Sequence, residues 1–139
     1  MTEQLSSLAL QALAIVEESG AIISANHAHP HTIRHKGRID LVTETDIAVE
    51  AFLKERLAAL TPGAGFLAEE SAEDLRLPDT CWIIDPVDGT TNFAHGLPLT
   101  VTSVAYRLNG ETVLGIINAP LLRECYIAEK GKGAWRNGE

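Results

Sequence analysis

The sequence predicts a layered mixed α/β fold, and three observations carry that expectation. Apolar residues recur at helical spacing in two long N-terminal stretches, short alternating runs joined by Asn-Gly turns fill the C-terminal part, and 45% of the 139 residues are hydrophobic. That length suits one compact domain of about 100–150 residues with a real core.

The first stripe, Leu5, Leu8, Ala12, Ile15, Val16, Ile22 and Ile23, predicts an amphipathic helix from Glu3 to about Asn26, with Thr2 placed to cap it. The stretch His27-Ala28-His29-Pro30-His31 reads as a connector because its proline interrupts helical hydrogen bonding, and a short strand fits Thr32 to His35. A second helix is expected within Asp40-Leu41-Val42-Thr43-Glu44-Thr45-Asp46, N-capped by Thr43. Its stripe runs through Val49, Phe52, Leu53, Leu57 and Leu60, and Pro62-Gly63 ends it.

Gly65-Phe66-Leu67-Ala68 reads as a buried strand that delivers Glu69-Glu70 at its end, and Cys81-Trp82-Ile83-Ile84 delivers Asp85 in the same way. After a Gly/Thr-rich loop, Leu99 to Leu108 alternates around Val101, Ser103 and Ala105, and Asn109-Gly110 turns the chain into Thr112 to Asn118. A further strand from about Arg123 to Glu129 completes an antiparallel meander. Gly133-Ala134-Trp135-Arg136 then enters another Asn-Gly turn at Asn137-Gly138, whose partner strand is expected beyond Glu139. Trp135 and the apolar faces of this meander are either core or a surface that another element covers, and exposure on that scale favours an oligomer.

Eleven Lys+Arg against 19 Asp+Glu give a formal charge of −8, which argues against broad nucleic-acid binding and against docking on anionic lipid. The chain shows no apolar run of the roughly 18–20 residues that a membrane helix needs, and its start lacks a basic signal-peptide region. A cytoplasmic location follows as the expectation. Cys81 and Cys125 are too few for a disulfide framework and read as reduced, buried thiols.

The most informative stretch is Trp82-Ile83-Ile84-Asp85-Pro86-Val87-Asp88-Gly89-Thr90-Thr91-Asn92-Phe93. Two carboxylates three residues apart flank a stiff proline, and hard cations such as Mg²⁺ prefer such oxygen ligands, with the Val87 carbonyl as an uncharged third. Gly89, Thr90 and Thr91 can turn successive backbone N–H groups toward phosphate oxygens at the start of a helical turn. Bound divalent ions would invert the local potential and let an acidic protein hold an anionic ester. The same tetrapeptide also suits a plain turn between strands. Adjacent Glu69 and Glu70 point to opposite faces, so at most one can face such ions, and Asp46 also serves as a helix-start acid.

Asp40-Leu41-Val42-Thr43-Glu44-Thr45-Asp46, Glu69-Glu70-Ser71 and the stretch from Trp82 to Phe93 closely resemble, in order and spacing, three motifs of the inositol monophosphatase family. The likeness continues through Gly131-Lys132-Gly133-Ala134 and covers nearly the whole chain. Ala68 stands where the family commonly has Gly.

The resemblance implies a sugar-phosphatase-like fold in which residues 1–139 form the N-terminal domain, with helices packed on a mainly antiparallel sheet. A second domain, absent from this sequence, supplies a further metal-binding Asp and most substrate recognition. It implies a Mg²⁺-dependent, lithium-sensitive phosphomonoesterase, usually a homodimer, acting on inositol monophosphates or related sugar phosphates. Carried over by motif, Glu69, Asp85 and the Val87 carbonyl hold one Mg²⁺, and Asp85 and Asp88 contribute to a second. Glu69, Asp88, Gly89 and Thr90 face the substrate. Glu69, Thr90 and Asp46 orient and deprotonate an attacking water, without a phosphoenzyme. The run Thr90-Thr91-Asn92-Phe93 looks most like the inositol branch.

Three rivals stand beside this reading. A nucleotide bisphosphate phosphatase of the same superfamily is one. A catalytically incomplete metal-binding or dimerising module is another, and the cluster His27, His29, His31 and His35 gives it a possible Zn²⁺ or Ni²⁺ locus. A haloacid dehalogenase-like enzyme would use Asp85 as nucleophile, but its acids lie two residues apart, not three.

Overall fold

A computed structural model describes residues 4–27, 35–68 and 78–139, with the backbone alone over 35–43. Two long helices pack on one face of a six-stranded sheet whose strands lie side by side in chain order.

Helix α1 spans Ser7–His27. Its cap is Ser6, whose Oγ accepts the Ala9 N–H at 3.1 Å and donates to Glu129 at 2.6 Å. The expected start at Glu3 with a Thr2 cap lies outside the described residues, and the helix proper begins after Ser6. Leu5, Ala9, Ala12, Val16 and Ile23 form the buried stripe. Because it is rich in Ala, Ile and Leu and carries few charges, α1 is long and apolar enough to cross a membrane by length and composition. This corrects the expectation that no such segment exists. In the fold the helix lies against its neighbour and the sheet.

Helix α2, His35–Leu60, is longer than its stripe suggested. It passes straight through Asp40 and Thr43, so His35 is helical rather than part of a strand, and Thr43 is an interior position rather than a cap; Thr32 to Arg34 lie outside the described residues. No proline interrupts the stretch from His35 to Leu60 and Gly37 alone opposes the helix. Extending an existing helix is easier than nucleating another. At its end the Thr61 hydroxyl donates to the Leu57 carbonyl at 2.9 Å and accepts the Trp82 indole N–H at 2.7 Å.

Strand β1 (Gly65–Ala68) runs parallel to β2 (Cys81–Asp88), and β3 (Val101–Leu108), β4 (Glu111–Ala119), β5 (Glu124–Glu129) and β6 (Gly133–Arg136) continue as an antiparallel meander. Asn109 (φ 52°) and Gly110 (φ 83°) make the expected tight turn. Asn137 and Gly138 make the second, which Arg136 and Glu139 close by exchanging backbone hydrogen bonds.

Ile84, Val104, Ile116, Ile127 and Trp135 are paired in register across five strands and form one buried row under the helices. Trp135 is therefore core. Beside this row Trp82 stacks on Tyr106 with centroids 4.4 Å apart. The alternation expected in β3 is present: Thr102, Val104 and Tyr106 are buried, and Val101, Ser103 and Ala105 alternate with them on the other face. The opposite sheet face is an open trough of about 560 Å³ between residues such as Ala105, Gly115, Ile117, Tyr126 and Ala134. Ile117 is 45% and Tyr126 39% exposed there. Cys81 and Cys125 are free, buried thiols.

Candidate active site

A single cavity of about 270 Å³ is lined by Asp46, Asp85, Pro86, Val87, Asp88, Gly89 and Thr90. Helix α2 supplies the first acid, the end of β2 the next four residues, and the entry to α3 (Thr90–Ala94) the last two.

The geometry of β2 explains why both of its acids reach this cavity. In a regular strand, residues three apart point to opposite faces. Here the pairing with β3 shifts between Asp85↔Ser103 and Asp88↔Val101, so one extra residue is accommodated and the two carboxylates return to a common side. The expected loop at this point is a bulged strand instead. Pro86 has no N–H to give to a ladder, and the buried Thr102 hydroxyl donates to its carbonyl at 2.8 Å. That side-chain bond pins the bulge. Pro86 and Val87 are buried, Asp85 is half-buried and Asp88 is exposed, so the carboxylates stand at the mouth of a rigid floor.

Gly89 adopts φ 89°, ψ 39° as the residue before α3. A Cβ on it would lie 2.7 Å from the Leu99 carbonyl oxygen, so both its backbone conformation and its surroundings demand glycine. The Asn92 side chain donates to that same carbonyl at 2.9 Å, which folds the segment after α3 back over its start. Phe93 anchors the short helix in the core at 3% exposure.

Among the described residues, three carboxylates thus share a small cavity whose lining carries no Lys, Arg or His. Like charges gathered this way favour a cation among them, and a donor set made only of oxygen suits a hard divalent ion. Among the described residues, no three His, Cys, Asp or Glu side chains are gathered tightly enough to hold a metal ion by themselves. Glu69, expected as a further ligand, lies outside the described residues, as do Glu70 and Ser71. Strand β1 ends at Ala68, which is paired with Ile84, the residue before Asp85.

Of the histidine cluster, His29 and His31 lie outside the described residues and His35 opens α2. His27 ends α1, where its Nε2 lies 3.2 Å from the Gly96 carbonyl oxygen. Thr102, which shapes the site through its bond to Pro86, was not singled out by the sequence. That bond joins residues on different strands, and no local signal marks it.

A family model described as the inositol monophosphatase family matches residues 4–139. An inositol monophosphatase from Dictyostelium discoideum is 42% identical over 92% of this chain and 48% of its own length. A fructose-1,6-bisphosphatase/inositol-1-monophosphatase from Thermotoga maritima is 44% identical over 72% of this chain and 38% of its own. The crystal structure of inositol monophosphatase II from Staphylococcus aureus superposes with a TM-score of 0.84 at 28% identity, covering 96% of this chain and 49% of that one. The chain spans about half the length of such relatives.

Proposed function

Because the chain belongs to the inositol monophosphatase family, we propose that it carries the metal and phosphate half of a Mg²⁺-dependent phosphomonoesterase, as the N-terminal domain of such an enzyme. The observation that carries this reading is the convergence of Asp46, Asp85, Val87, Asp88, Gly89 and Thr90 on one cavity from α2, β2 and α3. A phosphate monoester, an inositol monophosphate or a related sugar phosphate, is the proposed substrate. The fructose-1,6-bisphosphatase/inositol-1-monophosphatase relative supports that substrate class.

In this reading Glu69, Asp85 and the Val87 carbonyl would hold one Mg²⁺, and Asp85 with Asp88 would contribute to a second. When bound, Mg²⁺ supplies the positive charge that acidifies water and screens the phosphoryl oxygens. Gly89 and Thr90 orient the phosphate from the start of α3, and the bulge fixes where its oxygens meet the acids. Glu69, Thr90 and Asp46 align a water opposite the ester oxygen; as its oxygen bonds to phosphorus a carboxylate among them takes its proton, the P–O bond to the alcohol breaks, and the leaving alkoxide takes a proton from solvent. Attack is direct and in line, so Asp85 stays a ligand and never becomes a phosphoenzyme.

We place the protein in the cytoplasm, in keeping with its free thiols. We further propose that it self-associates, because Ile117 and Tyr126 stand exposed on a sheet face that no described residue covers. Light scattering checks this, and a monodisperse monomer contradicts it. The test of function is phosphate release from a panel of inositol, sugar and nucleotide phosphates, with and without Mg²⁺. Release that requires Mg²⁺ and falls by about 100-fold or more in Asp85→Asn is expected. Release that survives either change contradicts the assignment.

A further inference from the structure

Two consecutive residues at the end of α1 bond behind two of the elements that line the acid cavity. The Asn26 side-chain amide donates to the Thr45 hydroxyl at 2.7 Å, and Thr45 is fully buried directly before Asp46 on α2. His27 Nε2 lies 3.2 Å from the Gly96 carbonyl oxygen, and its ring lies 6.0 Å from that of Phe93 at 51°. Phe93 belongs to α3, and its N–H donates at 2.9 Å to the carbonyl of Gly89, the residue before Thr90. Successive helical residues diverge by about 100°, which lets one helix terminus grip α2 with one side chain and α3 with the next.

We propose that Asn26 and His27 are positioning residues that together set the separation between Asp46 and Thr90. This inference rests on the phosphatase reading above. Neither side chain lines the cavity; each acts through the residue it holds. Asn26 fixes the rotation of α2 at Thr45, so the neighbouring Asp46 keeps its place beside Asp85 and Asp88. His27 uses an N–H on Nε2 to hold the turn that follows α3. That turn is compact, since Gly96 N–H donates to Phe93 O at 3.1 Å and Leu97 N–H to Asn92 O at 2.8 Å. Holding it keeps Thr90 facing the acids. A supporting bond behind a metal or phosphate site tunes affinity without touching the ligand.

Conservative replacements separate positioning from simple packing. His27→Gln keeps an amide donor near the place of Nε2, whereas His27→Ala does not; Thr45→Ser keeps the acceptor hydroxyl, whereas Thr45→Val does not. The experiment is calorimetric titration of the 139-residue chain with Mg²⁺ alone, and then with inorganic phosphate in the presence of Mg²⁺, with Asp85→Asn as the reference. Asn26→Ala and Thr45→Val are each expected to weaken Mg²⁺ binding by about 10-fold, with the double variant no weaker than either single one and Thr45→Ser close to the parent. His27→Ala is expected to weaken phosphate binding and to speed hydrogen exchange at the Phe93 and Leu97 amides, with His27→Gln restoring both. If Asp85→Asn abolishes Mg²⁺ binding while Asn26→Ala and His27→Ala change neither affinity nor exchange, the positioning role is overturned and the site stands. If Asp85→Asn itself binds Mg²⁺ normally, the cavity is not the metal site and both readings fall.

Discussion

The two ends of the sheet are built on different principles. From β3 to β6 the chain is an antiparallel meander that turns tightly at Asn109-Gly110, and its one register shift, at Tyr106/Arg107 beside that turn, leaves Val104, Ile116, Ile127 and Trp135 in one buried row. From β1 to β3 the pairing is less regular. β1 and β2 are parallel, the pairing of β2 with β3 is broken by a bulge, and a proline sits inside the strand. The regular end holds the apolar row and the irregular end holds the acids. Ladder geometry sends residues three apart to opposite faces, so gathering Asp85 and Asp88 in one cavity required breaking it.

That contrast can be broken by mutation. The largest expected effect on stability lies in the regular end: Ile116→Ala should cost about 2–5 kcal/mol in urea unfolding, because Ile116 is almost fully buried and its neighbours cannot close the void. Asp88→Asn, at an exposed position of the irregular end, should stay within about 0.5 kcal/mol of the parent. Equal losses for the two would erase the distinction.

A matched pair of glycines sharpens it. Gly89 and Gly110 have φ of 89° and 83°, so alanine is strained at both. At Gly110 the nearest atoms to a new Cβ are side-chain atoms 3.8 Å or more away, so Gly110→Ala should cost only the backbone term, about 1–2 kcal/mol. At Gly89 the Cβ would meet the Leu99 carbonyl oxygen at 2.7 Å, so Gly89→Ala should exceed that by about 1–2 kcal/mol and distort the cavity as well. Thermal unfolding of both variants measures the difference, and a smaller loss at Gly89 contradicts it.

The smallest effect concerns Cys125 on β5. Burial, with Glu17 beside it, pushes its thiol from 9.0 up to about 12. The fold therefore favours the protonated form. The contribution is intact below the ordinary thiol pKa and is lost as pH rises from 9.0 toward about 12. Cys125→Ala should lose less stability than the parent between about pH 8 and about pH 11, and equal slopes would contradict the assignment.

The same contrast governs what could be read from sequence. Asn109-Gly110, Asn137-Gly138 and the run Gly65–Ala68 announce themselves because turns and short apolar strands are set by neighbouring residues. Which face of β3 is buried was not legible, because both alternating sets mix apolar and hydroxyl residues, and the buried Thr102 bonds to Pro86, a residue on another strand. The start of α2 at His35 and the Ser6 cap were hidden for related reasons. The first lacks a helix breaker, and the second depends on Glu129 at the far end of the chain. At the site, the residue types and spacing of Asp85, Val87, Asp88, Gly89 and Thr90 were legible as chemistry. The bulge that aligns the two acids and the approach of Asp46 from α2 are tertiary facts.

The acids around the bulge are expected to form a site for divalent metal. Calorimetric titration of Mg²⁺ into the chain and into Asp85→Asn tests that expectation most directly. Saturable binding by the parent that falls by at least about 10-fold in Asp85→Asn, with the unfolding midpoint of the variant preserved, is the expected result. Mg²⁺ binding that is unchanged by Asp85→Asn would contradict the account.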